Sequence, residues 1–166
     1  KNCKSMLLAH KTPPAMITGI RATAEIAVRK GFTHIQFTQV EEAHAAVVDK
    51  YLQSLKAIPS PFLIEGELSE KAQKGKAIFE SISCIYCHTG AFFTDQKQHE
   101  IGNQGEYDHQ NIWDTPTLIE TWRTGPYLHD GRSATMKDVF SKEKHGLRED
   151  LSEEEVEWLT EYVLSL

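Results

Sequence analysis

Apolar residues recur at helical spacing in three stretches of the chain. The first stretch predicts an amphipathic helix over residues 41 to 56, with apolar positions at Val40, Val47, Val48, Tyr51, Leu52 and Leu55. The second begins at a predicted N-cap, Ser69, and carries Ala72, Gly75, Ile78 and Phe79 on one face. The third begins with a capping box at Ser152 and Glu155 and continues with Val156, Leu159, Val163 and Leu166. This pattern predicts an all-α protein.

The segments between the predicted helices indicate how the chain is divided. Two prolines between positions 57 and 62 end the helix before them and begin a stiff, extended linker. We therefore expect an N-terminal part over residues 1–57, a linker over 58–67 and a complete domain over 68–166. Residues 89–116 form a long polar loop, and no stretch alternates as a half-buried strand does.

One short motif, Cys84-Ile85-Tyr86-Cys87-His88, carries the candidate chemistry. Two thiols separated by two residues and followed at once by an imidazole are the attachment signature of c-type haem. On one helical turn Cys84 and Cys87 reach the haem vinyl groups, and His88 binds the iron as the proximal ligand. A thioredoxin-like pair would need a βαβ context and a zinc site a second Cys/His pair, and the sequence offers neither. The motif predicts one covalent haem c, on which the long loop can pack.

Composition and charge narrow the class of protein. The net charge of −6 is modest and the basic residues are scattered, which disfavours nucleic acid and anionic membranes as partners. No segment is long and apolar enough to span a membrane. Because c-type haem is attached outside the bacterial cytoplasm, we expect a periplasmic or otherwise extracytoplasmic location. The third cysteine, Cys3, is left as a free thiol or a link to another chain.

Further motifs follow the haem motif in a fixed order. They are Phe93-Thr94-Asp95, Thr115-Pro116-Thr117-Leu118, Pro126-Tyr127-Leu128-His129-Asp130-Gly131, Ala134-Thr135 and the capped last helix. Over residues 68–166 this order resembles the C-terminal haem domain of bacterial di-haem cytochrome c peroxidases and MauG-like proteins. The resemblance implies a class I-type cytochrome c domain with long haem-packing loops. It also implies a calcium ion on the backbone carbonyls of Thr124 and Pro126.

The sequence also contains an internal repeat. Residues 12–23 align with residues 124–135, and the identical positions are Thr12, Pro14, Gly19, Ala22 and Thr23. Residues 34–55 lie over 145–166 without a gap, which aligns His34 with His145. Proteins of the resembled family consist of two haem domains that arose by duplication. Residues 1–57 are therefore predicted to be the distal half of a second, duplicated cytochrome c-like domain that lacks its own haem motif.

The second iron ligand is predicted in the loop before the last helix. In the resembled family this loop supplies a Met, but residues 141–151 contain His145 and no Met. His145 is thus the favoured distal ligand, which predicts bis-histidine ligation and a lower potential. Met136 is the runner-up, although Met at an apolar helix position usually fills core space; the position could also hold another His or stay open. His34 is a candidate ligand for a second haem, contributed by a partner chain.

Other residues near the motifs have weaker candidate roles. Arg132 is predicted to bind a haem propionate, with a solvated arginine as the alternative. His129 is predicted to hold its turn against the haem edge. Two histidines, His99 and His109, are expected at the surface. Two tryptophans, Trp113 and Trp122, are expected to pack beside the haem, with electron relay as the alternative.

These observations favour an electron-transfer protein or subunit that carries one haem and meets a redox partner protein. One alternative is the electron-feeding half of a di-haem peroxidase or MauG-like oxidoreductase, and another is a structural haem subunit of a larger complex. Peroxidase chemistry needs a positioned distal acid or base, which the sequence does not show. The chain is therefore not expected to be catalytic on its own. A haem-bearing subunit or N-terminal fragment is expected to complete residues 1–57.

Overall fold

The computed structural model describes residues 2–102 and 104–166, and this part of the chain is mainly helical. Its elements are α1 (Ala24–His34), α2 (Glu42–Ser54), α3 (Glu70–Ser81), α4 (Cys84–Cys87), β1 (Gln98–Glu100), β2 (Ile112–Asp114), a 3-10 turn (Thr121–Arg123), α5 (Met136–Ser141) and α6 (Glu153–Leu164). Lys1 and Asn103, which fall in the predicted stretches 1–57 and 89–116, lie outside the described residues. None of the described helices combines the length and apolar character that crossing a membrane requires.

The three helices predicted from apolar spacing are confirmed as α2, α3 and α6. The hydroxyl of Ser69 accepts the backbone N–H of Ala72 at 3.0 Å and so caps α3 as predicted. The capping box of α6 is also present, because Ser152 accepts the Glu155 amide while the Glu155 carboxylate accepts the Ser152 amide. The structure also contains two short strands that the sequence did not indicate, β1 and β2, which pair antiparallel. Each strand has only three residues, too few for alternation to be visible.

Helices α3 and α6 form the centre of residues 68–166, the C-terminal region. A Cβ atom added at Gly75 would lie 1.9 Å from the carbonyl oxygen of Trp158, so the two helix backbones are in contact there. One turn further along, Phe79 and Tyr162 pack edge to face with ring centroids 5.3 Å apart. The buried core around them also contains Ala72, Met136, Val139, Phe140, Val156, Leu159 and Val163.

Residues 2–57, the N-terminal region, contain helices α1 and α2, which are held together by ion pairs and a hydrogen bond. The Asp49 carboxylate of α2 is 3.0 Å from His10 Nε2 and is paired with Arg29 of α1. Arg29 also pairs with Glu42 at the start of α2. The N-terminal region contacts β2 through its backbone, because the Asp114 amide donates to the Ile17 carbonyl at 3.1 Å. The two regions therefore pack as neighbours.

The two regions share one backbone motif. Residues 15–23 and 127–135 each form a turn that is closed by an antiparallel bridge, Ala15 with Arg21 and Tyr127 with Ser133. Positive φ angles fall at corresponding positions of the two turns: Met16, Gly19, Leu128 and Gly131. Each turn ends at a threonine that caps the next helix, Thr23 for α1 and Thr135 for α5. The helices then differ in length, since α1 has 11 residues and α5 has 6.

Candidate haem site

The cysteines of the haem motif lie on α4, a single turn that follows α3. The His88 amide donates to the Cys84 carbonyl at 2.9 Å and closes this turn. Burial raises the pKa of Cys84 to about 11 and also raises the pKa of Cys87. Both sulfurs are thus neutral thiols at neutral pH, and both belong to the wall of one cavity.

The orientation of His88 is fixed by the loop that follows the motif. Its Nδ1 lies 3.0 Å from the carbonyl oxygen of Phe93. A carbonyl can only accept, so Nδ1 carries the proton and Nε2 keeps a free lone pair. Burial lowers the pKa of His88 to about 4. The neutral ring with a free Nε2 is the form that binds a metal ion.

His145 stands opposite His88. It lies in the loop after α5, where its amide donates to the Val139 carbonyl at 3.0 Å, and burial lowers its pKa. The two imidazole centroids are 6.4 Å apart at an interplanar angle of 61°. Because a metal-bound imidazole nitrogen lies about 2 Å from its metal, two rings on opposite sides of one ion have centroids about 6 Å apart. The pair therefore fits two axial ligands of one iron.

The cavity between these rings has a volume of about 250 Å³ and a largely apolar wall. The wall includes side chains from every helix of the C-terminal region, among them Phe79, Leu118, Leu128, Met136, Val139, Phe140 and Val163. Met136, the runner-up ligand, is 6 % exposed and packs in the core of α5 and α6. A covalent haem fits this donor set, since two thiols and two facing imidazoles adjoin one apolar space.

Two predicted site residues lie elsewhere. Arg132 bonds Asp130 and approaches Glu143, and it is not among the described residues that line the cavity. His34 is exposed at the end of α1, where its Nδ1 lies 2.6 Å from the Thr33 hydroxyl. Their predicted roles as propionate partner and as ligand of a second haem stay predictions.

His34 and His145 also differ in local position. After α5 the His145 amide donates to Val139, and after α1 the Thr38 amide donates to Phe32 in the same pattern. Thr38 therefore occupies the place that the gapless alignment gave to His34. The cause is the greater length of α1. Because α1 has more residues than α5, the residues that follow the two helices are no longer in the register set by the shared turn.

His129 is buried in a cluster beside the cavity. Its Nε2 lies 2.6 Å from Asp108, and its ring stacks on Trp113 with centroids 3.8 Å apart. His99 bonds Asp95 at 2.7 Å and also lines the cavity, whereas His109 is exposed. Trp122 is half-buried, with Arg123 over its ring.

Sequence reasoning missed that the N-terminal segment, residues 2–5, lines the same cavity. Lys4 pairs there with the buried Asp114 of β2, and the Asn2 amide donates to the His129 carbonyl at 2.8 Å. No local pattern predicts these contacts, because more than one hundred residues separate the partners. These contacts could have been predicted only by assuming that the first residues pack on the C-terminal region.

Comparisons with known proteins identify a hydrazine synthase subunit and MauG proteins as relatives. No protein-family model matches the chain. Hydrazine synthase subunit gamma of Kuenenia stuttgartiensis is 27% identical over 165 residues, covering 70% of this chain and 47% of that protein. The methylamine utilization protein MauG of Methylophilus methylotrophus is 31% identical over 107 residues, covering 54% of this chain and 32% of its own length. The chain thus spans less than half of the curated relatives it matches.

Solved structures show the same fold. Hydrazine synthase of Kuenenia stuttgartiensis superposes with a TM-score of 0.85 at 22% identity, over 98% of this chain and 71% of that one. A MauG-like protein associated with microbial copper homeostasis superposes with a TM-score of 0.75 at 16% identity, over 98% of this chain and 72% of that one. The fold is therefore mainly helical and cytochrome-like. The sequence relatives support the MauG-like, peroxidase-like family that the motifs indicated and a role related to c-type cytochromes.

Proposed function

We propose that the chain is a c-type cytochrome that transfers electrons through one covalent, bis-histidine haem. The observation that carries this proposal is the pair of facing imidazoles, His88 and His145, in an apolar cavity beside Cys84 and Cys87. A bound haem supplies a one-electron iron couple. The Phe93 carbonyl fixes the His88 ring, and the backbone amide of His145, which donates to the Val139 carbonyl, fixes the loop that carries the second ring.

Ligands on both sides of the iron favour electron transfer over substrate chemistry. With His88 and His145 both bound, no coordination position is left for a substrate. Thioethers to Cys84 and Cys87, together with the surrounding core, would hold a bound haem in one place in both oxidation states. A site that changes little between the two states exchanges electrons at low cost in reorganisation.

Two kinds of measurement test this proposal. Denaturing mass spectrometry should find the chain heavier by one haem, and the optical and EPR spectra should be low-spin without the weak long-wavelength band of Met-sulfur ligation. His145→Ala should convert the iron to a high-spin or water-ligated form, whereas Met136→Ala should leave the spin state unchanged. The reverse result would assign the distal position to Met136 and contradict the bis-histidine proposal.

A second candidate function is the electron-feeding part of a larger, MauG-like oxidoreductase. The likeness to MauG and to a subunit of hydrazine synthase favours it, since both names denote proteins that act in enzyme systems. In this case the haem here delivers electrons to a reactive site on another part of the assembly. A role as structural haem subunit predicts instead that the redox state of this haem does not respond to turnover of any partner.

We further propose that residues 1–57 are the distal half of a duplicated domain and are completed by a haem-bearing polypeptide. In the C-terminal region α3 covers α6 at Trp158 and Tyr162. The aligned residues of α2, Val47 and Tyr51, are 63 % and 64 % exposed. An apolar helix face of this kind is usually covered by a partner. The proposed occupant is a helix that packs on α2 as α3 packs on α6 and leads into a haem motif.

Replacing Val47 and Tyr51 together by glutamate should abolish association with that haem-bearing polypeptide. The matched control, Lys50→Glu, changes an exposed residue of the same helix outside this apolar face. If His34 binds the second iron, His34→Ala should change the spectrum of the partner haem. A chain that purifies as a stable monomer and associates with no haem polypeptide would contradict the split-domain proposal.

The location and the calcium ion complete the proposal. We propose an extracytoplasmic location because haem attachment through a Cys-x-x-Cys-His motif takes place there. Calcium on the carbonyls of Thr124 and Pro126 remains a prediction; the Pro126 carbonyl accepts the side-chain amide of Asn2. Atomic-emission analysis of the purified protein before and after chelation tests for the ion.

A further inference from the structure

One polar cluster in the cavity wall is not used by the electron-transfer proposal. It joins residues 2–5 to β2 and to the turn that contains His129. The Asn2 backbone amide donates to the His129 carbonyl at 2.8 Å, and the Asn2 side chain reaches the Leu128 carbonyl at 3.5 Å. Two residues on, Lys4 forms an ion pair with Asp114 of β2. The N-terminal segment is thus held across the edge of the cavity.

Two groups of this cluster have hydrogen-bonding capacity left. Lys4 is the one Lys or Arg among the described residues of the cavity wall, and its ammonium carries three donors. The side chain of His129 is only 2 % exposed. Its Nε2 faces Asp108, while its Nδ1 has no hydrogen-bond partner within the described part of the chain. A buried ring nitrogen without a partner is costly, which indicates that a ligand group completes it.

Resting on the proposed haem, we infer that Lys4 and His129 bind the haem propionates. Propionates are the anionic groups of haem, and a carboxylate inside a protein needs a cation or hydrogen-bond donors. The other candidates fit less well: Arg132 bonds Asp130 and is not among the described residues of the cavity wall, and His99, which is 35 % exposed, has no buried ring nitrogen that lacks a partner. His129 thus faces Asp108 with Nε2 and would face a propionate with Nδ1.

This arrangement makes the N-terminal segment part of the haem site. A positive charge near the iron stabilises the reduced form, and a negative charge stabilises the oxidised form. Lys4 therefore raises the reduction potential and Asp114 lowers it. Burial raises the pKa of Asp114, an effect that Lys4 opposes. Lys4 and Asp114 together set the charge beside the propionates, although the two residues lie far apart in the sequence.

The test uses the full chain with its attached haem. Midpoint potentials and the propionate bending bands of the resonance Raman spectrum are measured for Lys4→Gln, Lys4→Arg, Asp114→Asn and His129→Gln. We expect Lys4→Gln to lower the potential, Asp114→Asn to raise it and Lys4→Arg to restore it. Lys4→Gln and His129→Gln should also shift the bending bands. The control is Lys11→Gln, which removes an exposed charge outside the cavity wall and should shift neither.

Three results would overturn the inference. The first is an unchanged potential and unchanged bands in both Lys4→Gln and His129→Gln. The second is a shift of the same sign in Lys4→Gln and Asp114→Asn, which would indicate only a disturbed wall. The third is a larger band shift in Arg132→Gln than in Lys4→Gln. Failure of the proposed bis-histidine function is seen separately, as a high-spin spectrum of the unaltered protein, and leaves the band test valid.

Discussion

The aligned helices α2 and α6 have the same pattern of apolar residues but very different surroundings. Tyr162 of α6 is 4 % exposed and packs on Phe79 of α3, whereas the aligned Tyr51 of α2 is 64 % exposed. The turns before the two helix pairs share bridges, positive φ positions and threonine caps. The local backbone is therefore set by local sequence. Burial of the apolar face needs in addition a covering helix, which α6 has in α3.

The largest expected difference is between truncations of the two tyrosines. Tyr162→Ala should destabilise the protein by about 3–5 kcal/mol, the range for large aromatic side chains removed from a core. Tyr51→Ala in the isolated chain should change stability by less than about 0.5 kcal/mol, as exposed positions do. Denaturant unfolding followed at the haem Soret band measures both. Equal losses would show that α2 is covered within this chain.

Two helix glycines provide the next comparison. Gly75→Ala forces a Cβ against the Trp158 carbonyl and should cost about 3 kcal/mol by overpacking the α3–α6 contact. Gly31→Ala in α1 meets nothing within 4 Å and should stabilise α1 by about 0.5–1 kcal/mol. Thermal unfolding monitored by far-UV circular dichroism separates the two signs. Loss of stability in Gly31→Ala would mean that another surface closes on α1.

Helix caps and apolar helix faces were predictable from the sequence, whereas contacts of the N-terminal segment were not. The caps at Ser69 and Ser152 were found because each involves partners three residues apart. The apolar faces of α3 and α6 were found from their helical spacing, although the spacing did not say which helix packs on which. By contrast, Lys4 meets Asp114 across 110 positions, and no pattern in the sequence connects the two.

The repeat shows a place where sequence spacing and local backbone structure differ. A gapless alignment assumes equal element lengths, but α1 exceeds α5 by more than one helical turn. The alignment therefore pairs His34 with His145 although Thr38 has the matching backbone hydrogen bond. The haem motif was recognisable because attachment of c-type haem imposes its spacing, and the structure places Cys84, Cys87 and His88 on one cavity. Asp108, the partner of His129, was missed because its loop has no periodicity.

Charge inside the N-terminal region gives a third, smaller difference. Burial alone would raise the pKa of Asp49, but hydrogen bonds from Arg29 and His10 outweigh it and hold the pKa below its usual value. The aligned position of α6 is the uncharged Thr160. Asp49→Asn should destabilise α1 and α2 by about 2 kcal/mol at neutral pH, less than for a fully buried ion pair because Arg29 is partly exposed.

The pH dependence of that cost follows from the lowered pKa. A carboxyl group whose pKa is lower in the folded state stabilises the fold above its unfolded pKa, about 4, and loses this effect as the pH falls through the folded value. The difference between Asp49→Asn and the unaltered chain should therefore shrink below about pH 4. Amide hydrogen exchange of α1 and α2 measures it, and a difference independent of pH would contradict the assigned cause.

The smallest difference is expected at the two threonine caps. Thr135 takes part in a reciprocal capping box with Asp138, whereas the Thr23 hydroxyl accepts the Ile26 amide at 3.3 Å outside any capping box. Thr135→Ala should cost about 1 kcal/mol and Thr23→Ala about 0.5 kcal/mol. Substitution by serine at each position is the control, because serine keeps the hydroxyl. A larger cost at Thr23 would reverse the expected order.

The N-terminal segment that crosses the cavity edge determines whether the cytochrome fold of residues 68–166 is modular. A protein cut at the proline linker would keep the haem motif, both facing histidines and the α3–α6 core. It would lose Lys4, Ser5 and Ile17 from the cavity wall and the donors that bond the His129 turn. Produced alone, such a fragment would bind its cofactor in a cavity that is open to solvent on one side. Its redox behaviour would then report on solvent rather than on the native site.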